Sequence, residues 1–349
     1  MKRKIGLFFL LILALVFFTT TLPAQNITRI FDSPIDTNYI QSYPKALTIK
    51  AIAKNKYLKL GIEDDEDDYE LQYEPNGNSS IGLAFNYKWI GFGFSFKLAN
   101  PEKDLDLGQS RAFDFQTNLL FRKGVFDIFY QHYKGFYLSN SAGMIANWPD
   151  GDTYLIRPDI AVRSVGANYT HVFNPKKFSY ISSFSQTESQ RRSAGSLILG
   201  LGLNYHRVWG DSSLVVSNLI YPEAFADDSI QQLSGLSTSA RFGYAYTLVI
   251  RQRFFLSLSL DAGLSNNFSA YRSEDKNHYN LNIASNAAFK IAGGYNYKRW
   301  FVGFTGANFV SLNKPTNENF LVRIQYGFVS FVVARRFQLQ SDIPLPKLF

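Results

Sequence analysis

The feature that most constrains this chain is residues 80–98, where apolar side chains alternate with small, polar or basic ones. Leu83 and Phe85 share a face of the first arm, and Phe92 and Phe94 share a face of the second. A period of two is typical of a β-strand, because successive side chains point to opposite sides of a sheet. Each arm has about the nine to eleven residues that a tilted strand needs to cross a bilayer. The stretch therefore predicts a hairpin of two membrane-spanning strands.

The same alternation recurs along the chain. Repeated half-apolar segments separated by turn residues are the sequence signature of a transmembrane β-barrel. We therefore predict an all-β fold, a transmembrane antiparallel up-and-down β-barrel of about fourteen strands. One of these segments, 213–220, alternates weakly, and removing it with a partner leaves twelve. The predicted strands cover about 46–60, 80–89, 90–98, 113–122, 125–134, 160–173, 178–186, 197–206, 213–220, 241–250, 254–264, 281–297, 300–312 and 320–328.

The connections between these segments alternate strictly between short and long. Outer-membrane barrels show this asymmetry, with short periplasmic turns and longer outer loops. The pattern predicts that both chain ends are periplasmic. Short connections lie near residues 89, 123, 175, 210, 251 and 298, and long ones cover about 61–78, 99–111, 135–159, 187–195, 221–236, 266–280 and 313–319.

Aromatic residues cluster near the short connections. Amphipathic rings gather at the level of the lipid headgroups, so the cluster predicts an inner aromatic girdle. General enrichment of aromatic residues in strands would not explain clustering at one end. The predicted girdle consists of Tyr87, Trp89, Phe121, Phe173, Tyr205, Trp209, Tyr297 and Trp300.

A soluble all-β sandwich or propeller is the alternative architecture. Such folds also alternate, but their strands are usually about five or six residues long and their loops are short on both sides. With 16% aromatic and 18% charged residues, a soluble fold would have to bury most of the rings in a core. The barrel needs no such core, because lipid covers its outer face.

The N-terminus has the pattern of a secretory signal peptide. Lys2, Arg3 and Lys4 precede the apolar run 5–18, and cleavage is predicted near Ala24. An uncleaved anchor is the alternative. The sequence contains no Cys, which excludes disulfides, thiolate metal sites and a lipid-anchored N-terminus. The predicted segments are a signal peptide (1–24), a periplasmic lead (25–45), the barrel (46–337) and a periplasmic C-terminal tail (338–349).

Basic residues dominate the predicted inward face. Rings of Arg and Lys favour anions in pores, so the pattern predicts a porin-like channel or uptake barrel for small polar or anionic solutes. Alternatively these cations pair with loop carboxylates, such as those of residues 63–68, and close the barrel. The predicted lumen-lining cations are Lys50, Lys54, Lys88, Lys97, Arg122, Arg241, Lys290 and Arg323.

No motif predicts catalysis, a metal or a cofactor. The histidines do not show an H-x-x-x-H spacing, and a G-x-S-x-G elbow and a phosphate-binding loop are absent. His206 and Ser257 fall on the predicted inward face without a visible partner. The acidic run 63–68 lacks the Gly and the ligand spacing of a calcium loop, so a solvated loop is predicted.

Three classes of function remain. The leading class is passage or binding of a small solute, the second is a structural or interaction role through the long loops, especially 135–159, and the third is an outer-membrane enzyme that modifies lipid. The expected location is the bacterial outer membrane. The expected partners are outer-membrane lipid, the barrel-assembly machinery and a small solute. Nucleic acid is not expected, because the Lys and Arg residues are dispersed and the signal peptide directs secretion.

Short motifs add a resemblance to a family. They are Asp36-x-x-Tyr39-Ile40, Tyr73-x-Pro75-Asn76 and Gly82-x-x-x-x-Tyr87-Lys88. Over about residues 30–340 the chain resembles an uncharacterised family of outer-membrane proteins from Bacteroidetes-type bacteria, a domain of unknown function. The resemblance implies an outer-membrane barrel, and it implies no activity, cofactor or site residue.

Overall fold

The fold is taken from a computed structural model of the chain. It describes residues 33–64, 69–77, 79–98, 105–149, 154–216, 219, 230–273, 276–313 and 320–340. The predicted signal peptide (1–24), most of the acidic run 63–68 and most of the C-terminal tail lie outside the described residues.

The described residues are mostly strand, with two short helices and a further helical stretch at 105–107. The helices are α1 (Ser141–Met144) and α2 (Tyr180–Phe184). The strands are β1 (Ile40–Ser42), β2 (Ala46–Asp64), β3 (Glu70–Glu74), β4 (Ser79–Tyr87), β5 (Ile90–Lys97), β6 (Arg111–Phe121), β7 (Gly124–Leu138), β8 (Leu155–Val172), β9 (Glu188–Gln190), β10 (Ala194–Trp209), β11 (Ile230–Ile250), β12 (Phe254–Ser273), β13 (Lys276–Tyr297), β14 (Trp300–Asn313) and β15 (Phe320–Gln338).

The long strands form a closed antiparallel ring. The large sheet has 13 strands, and without the short strand β3 it is a ring of twelve in the order β2-β4-β5-β6-β7-β8-β10-β11-β12-β13-β14-β15. Pairing of β15 with β2, from Phe320↔Asp64 to Gln338↔Ala46, closes the ring. The predicted antiparallel barrel is thus confirmed, with the twelve strands of the alternative prediction.

Two of the fourteen predicted strands are wrong. The segment 178–186 contains α2 and lies inside the barrel, where nearly every residue is buried. Most of the segment 213–220 is described and forms no long strand, and Leu214 packs into the interior with no exposed surface. Each wrong strand adds one crossing of the barrel wall that the chain does not make. Because there are two such strands, those after residue 230 still have their predicted direction.

The sides of two connections change as a result, those of the predicted inner turn near residue 210 and of the predicted outer loop 187–195. Turns at 88–89, 122–123, 251–253 and 298–299 define the short-turn end of the barrel. The chain from β8 to β10 (173–193) belongs to this end, and the chain after Trp209 belongs to the opposite, long-loop end. The predicted short inner turn near residue 210 is therefore wrong.

The outer face of the ring is apolar, as predicted. On β12 the side chains of Phe254, Leu258 and Leu260 are exposed, whereas those of Ser257 and Ser259 are buried in the interior. The same contrast holds on the neighbouring strands, which creates a continuous belt suited to lipid. No helix in the described part of the chain is long and apolar enough to cross a membrane.

One strand has the opposite facing to that predicted. On β15 the row containing Phe320, Val322 and Tyr326 was expected to face lipid, but these side chains pack inside the barrel. The outer face at the other end of β15 carries Val329 and Phe331, which are exposed. The apolar row was misassigned because the interior of the long-loop end is itself apolar.

The predicted girdle is divided between the two ends. Tyr87, Trp89, Phe121, Phe173, Tyr297 and Trp300 lie beside the short-turn end. Trp209 pairs with Ala161 and Gln232 at the long-loop end, and Tyr205 lies four residues before it on the same strand. Those two residues do not belong to an inner girdle, because the turn that placed them there does not exist.

Candidate functional site

A segment between β8 and β10, residues 174–193, folds back into the barrel from the short-turn end; we call it the plug. Its helix α2 begins at Ser179, whose side chain accepts a hydrogen bond from the backbone N–H of Ser182 at 3.1 Å. The helix ends at Phe184, and Gln186, two residues further along, has a positive φ of 60°. Strand β9 of the plug then pairs with β1, so the predicted periplasmic lead contributes residues 40–42 to the same structure.

The plug is held to the barrel wall by charged hydrogen bonds. Arg122 donates to both carboxylate oxygens of Glu188 at 2.5 Å, and Ser179 Oγ donates to the same carboxylate. Arg336, buried at the end of β15, donates to the carbonyl oxygen of Gln186 at 2.9 Å. Burial raises the pKa of the Glu188 carboxyl, and the charge of Arg122 opposes this shift.

The middle of the plug contacts the wall through hydroxyl groups. Ser183 Oγ lies 2.5 Å from Ser257 Oγ, which in turn lies 2.6 Å from Thr247 Oγ1. All three side chains are buried. Ser257, predicted only as an inward-facing residue, therefore belongs to the contact between plug and wall.

The long-loop end is filled differently, by a packed apolar cluster that we call the cap. Its members come from six strands of the ring, from β3 and from the chain after β10. They are Leu58, Leu60, Ile62, Leu71, Tyr73, Tyr133, Phe136, Leu138, Ile160, Val162, Val208, Leu214, Leu219, Ile230, Phe320 and Val322. Such close packing excludes water from that part of the barrel interior.

Between plug and cap lies a cavity of about 290 Å³, here called the chamber. Three pairs of opposite charge line it. Lys56 bonds to Asp114, Arg241 Nε lies 2.5 Å from Asp261 Oδ1, and Lys290 Nζ lies 3.5 Å from Asp127 Oδ2. The Lys290 ammonium also lies 5.3 Å from the centre of the Tyr180 ring in the plug.

Two further cations line the chamber without a carboxylate partner among the described residues, Lys50 and Lys54. Lys50 is only 6% exposed. A buried cation without a counter-ion is costly, and an anion in the chamber would neutralise it. This arrangement is therefore a candidate anion site.

Of the predicted lumen-lining cations, Lys50, Lys54, Arg241 and Lys290 line the chamber. Four others do not. Arg122 contacts the plug, and Lys88 lies in a turn at the short-turn end near the Tyr87 ring. Lys97 donates to backbone carbonyls at the other end of β5, and Arg323 lies on the outer phase of β15, 2.6 Å from Glu63. Arg323 was misassigned together with the apolar row of its strand.

Sequence reasoning missed two residues of this site. Lys56 lies two residues after Lys54 and therefore on the same face of β2. The period-two alternation of this strand could have identified Lys56 as inward-facing. Asp127 was missed because alternation on β7 is poor. Its pairing with Lys290 joins strands that are far apart in the chain, so no sequence spacing encodes it.

A histidine–serine contact occurs outside the chamber. His206 Nδ1 lies 2.8 Å from Ser164 Oγ across the β10–β8 pair. No carboxylate contacts His206 among the described residues, so the pair lacks the third group of a catalytic triad. The described residues also hold no cluster of three or more His, Asp or Glu placed to bind a metal.

Comparison with protein families identifies one match. The sequence profile of the domain of unknown function DUF4421 matches residues 34–337. The chain belongs to the DUF4421 family. No match is found among curated protein sequences.

Solved structures of outer-membrane proteins resemble this DUF4421 chain weakly. One is the outer membrane protease OmpT from Escherichia coli, 10% identical over 85% of this chain and 98% of that chain, with a TM-score of 0.38. Another is the Pseudomonas putida toluene transporter TodX, 7% identical over 86% and 91%, with a TM-score of 0.27. Ail of Yersinia pestis is 10% identical over 84% and 99%, with a TM-score of 0.20. Similarity at this level indicates nothing about the function of this chain.

Proposed function

We propose that the protein is an outer-membrane barrel that binds a small anionic solute in the chamber and releases it to the periplasm when the plug moves. The observation that carries this proposal is the pair Lys50 and Lys54. Both line the chamber, and neither forms an ion pair with a carboxylate among the described residues. A resident anion would supply the missing negative charge.

The location follows from the outer face. We propose that the signal peptide is cleaved near Ala24 and that the barrel-assembly machinery inserts the chain into the outer membrane. The belt of exposed Phe, Leu and Tyr then contacts outer-membrane lipid. The short-turn end, where β2 begins at Ala46 and β15 ends at Gln338, faces the periplasm.

A permanently open pore does not fit this interior, because the plug fills the short-turn end and the cap fills the long-loop end. We therefore expect no steady conductance when the wild-type protein is placed in a planar bilayer. A steady porin-like current would contradict closure of the two ends by the plug and the cap. We propose no catalytic step, since His206 and Ser164 contact no carboxylate in the described structure.

Binding of inorganic phosphate to the purified barrel tests the anion site. We expect saturable binding by calorimetry, with an affinity at least tenfold lower in the double variant Lys50→Gln, Lys54→Gln. Lys59→Gln is the matched control, because Lys59 is on the outer phase of the same strand and pairs with Glu74 at 2.9 Å. Equal binding by the double variant and the control would refute the proposal.

The structural role through the long loops is supported less well. The loop after β7, the leading candidate for a partner, is tied to the barrel by Asn140. Its side chain donates to the carbonyl oxygen of Glu70 at 2.6 Å and accepts from the backbone N–H of Gln72 at 3.2 Å. These contacts give residues 139–141 a structural role within the protein.

A further inference from the structure

One pair of neighbouring strands in the barrel wall, β5 and β6, is hydrogen-bonded over only part of its length. Strands β5 and β6 pair only at Ile90↔Leu119, Gly91↔Asn118 and Phe92↔Thr117. Beyond these pairs the residues of β5 still pair with β4, and those of β6 still pair with β7. The facing edges, Gly93–Phe96 on β5 and residues 111–116 on β6, therefore leave a gap, which we call the window.

The window is bounded above and below by contacts. At the lower side, Thr117 Oγ1 donates to the carbonyl oxygen of Gly91 at 3.0 Å. At the upper side, Lys97 Nζ donates to the carbonyl oxygen of Ser110 at 3.1 Å. Four residues of strand lie between, which corresponds to about 13 Å at the usual rise of about 3.3 Å per residue. The opening is thus limited in height and lies within the wall.

Unpaired strand edges are costly in a hydrocarbon environment, where nothing else bonds their N–H and C=O groups. Irregular backbone at membrane depth is tolerated where it lines a water-filled cavity. The window meets that condition because Gly93, Ser95 and Asp114 line both the gap and the chamber. The gap is therefore continuous with the anion site.

The outside of the window is apolar. Phe94 and Phe96 on one edge and Phe113 and Phe115 on the other are about half exposed or more. Phe92, Phe94 and Ile128, which face outward, line the same cavity as Lys50 and Lys54. A molecule that fills this space would contact lipid-facing rings at one end and ammonium groups at the other.

The path from the window to the lysines is lined by small side chains. In register across β2, β4 and β5, Lys50 aligns with Ala84 and Gly93. The next inward-facing row aligns Ile52 with Gly82 and Ser95. Two strand spacings of about 4.8 Å separate Lys50 from the window edge, so the distance is about 10 Å. No large side chain of β4 or β5 stands between them.

We propose that the window is a lateral opening through which a single-chain amphiphilic anion enters the chamber from the membrane, with its charged head on Lys50 and Lys54 and its chain at the aromatic rim. This inference rests on the proposed function and specifies its ligand. A single chain is favoured because the chamber, at about 290 Å³, is at the small end of the usual range for ligand pockets, about 300–1,000 Å³.

Reversible closure of the window provides the test. The chain has no Cys, so a Phe94→Cys, Phe115→Cys variant carries only the designed pair. Laurate with a nitroxide on its chain is the probe, and the immobilised fraction is measured by electron paramagnetic resonance in lipid nanodiscs. A reducible bifunctional thiol reagent long enough to bridge the gap joins the two sulfur atoms. We expect this cross-link to reduce immobilised laurate at least tenfold and its reduction to restore it. The matched control Leu258→Cys, Ile291→Cys joins a fully paired seam and should show no change.

A second variant closes the window without a cross-link. Ser95→Trp fills the gap from the chamber side, and Ser95→Ala keeps it open. The affinity for laurate should fall at least tenfold in Ser95→Trp and should be retained in Ser95→Ala. The double variant Lys50→Gln, Lys54→Gln should also bind laurate at least tenfold more weakly. Spin-labelled dodecanol lacks the charge and should not be immobilised in any variant.

The outcomes separate the two proposals. Laurate binding that survives closure by both methods, or that does not depend on the lysines, overturns the lateral opening. If inorganic phosphate binds through Lys50 and Lys54 while laurate does not bind, the proposed function stands and this inference fails. If neither probe binds the wild-type protein, the proposed function fails as well.

Discussion

The two ends of the barrel are closed by different proportions of apolar and polar contacts. The cap consists of apolar side chains such as Leu60 and Phe136, each at most 1% exposed. The plug combines a smaller apolar cluster, in which Phe178 and Ile181 are buried against the wall, with buried and hydrogen-bonded polar groups such as Ser183 and Glu188. Opening the cap would expose apolar surface to water, at a free-energy cost of about 25 cal/mol per Å². Water can replace the plug's hydrogen bonds, each worth about 1 kcal/mol net. Because the apolar cluster of the cap is larger than that around the plug, we expect the plug to be the end that moves.

The largest expected effect comes from the cap. Phe136→Ala should lower the free energy of unfolding by about 3–5 kcal/mol, because it leaves a cavity in a packed apolar cluster. Phe331→Ala is the control, since Phe331 is 55% exposed on the lipid-facing side and its removal leaves no cavity. Denaturant titration in detergent micelles measures both. Equal losses would show that the cap is not a packed core.

The next effect separates the plug from the cap by its dependence on pH. Arg122→Gln leaves the Glu188 carboxylate buried without its partner, which should weaken plug docking by about 3 kcal/mol near neutral pH. The pKa of Glu188 is already raised above the ordinary value of 4.5 and should rise further. The docked plug then binds the proton more tightly than the free plug, so docking strengthens as the pH falls and weakens as it rises through the docked pKa.

Hydrogen exchange of residues 178–190 between pH 5 and pH 8 measures this docking. Protection in Arg122→Gln should be near the wild-type level at the acid end and lost at the alkaline end. Arg163→Gln, which removes a cation stacked on Trp209 at the long-loop end, should leave plug protection unchanged. An Arg122→Gln plug that is equally protected at both pH values would contradict the role given to this ion pair.

The smallest effect concerns single hydroxyl groups. Ser183→Ala removes the contact to Ser257 and should weaken plug docking by about 1 kcal/mol. Ser259→Ala is the matched control, because Ser259 is also buried but its hydroxyl has no hydrogen-bond partner among the residues that the structure describes. Its replacement should cost nothing. The same hydrogen-exchange measurement applies, and equal effects of the two substitutions would show that the hydroxyl contacts do not hold the plug.

Much of the ring could be predicted from the sequence, because lipid outside and polar groups inside impose a period of two on nearly every strand. The exceptions have physical causes. In the segment 178–186, Tyr180 and Phe184 fit both the strand and the helix period, and only the surrounding wall decides between them. On β15 the apolar row of Phe320 meets an apolar interior rather than lipid, so the alternation was correct but its direction was not.

The site could be predicted in part. Lys50 and Lys54 were found because an inward-facing lysine on an alternating strand needs no tertiary information. The absence of an ion pair to them from the described carboxylates could not be predicted, since the pairing of Lys56 with Asp114 depends on which strands face each other across the barrel. The plug contacts of Arg122 were hidden for the same reason.

The role of the plug as the gate of the chamber is tested most directly by cross-linking the plug to the barrel wall. In a Ser183→Cys, Ser257→Cys variant the two sulfur atoms replace oxygens that lie 2.5 Å apart, so oxidation should join the plug to the wall. The measurement is the rate at which inorganic phosphate reaches the chamber, by stopped-flow mixing with the oxidised and the reduced protein. We predict at least a tenfold slower rate after oxidation, reversed by reduction. Equal rates in the two forms would show that the solute passes without movement of the plug.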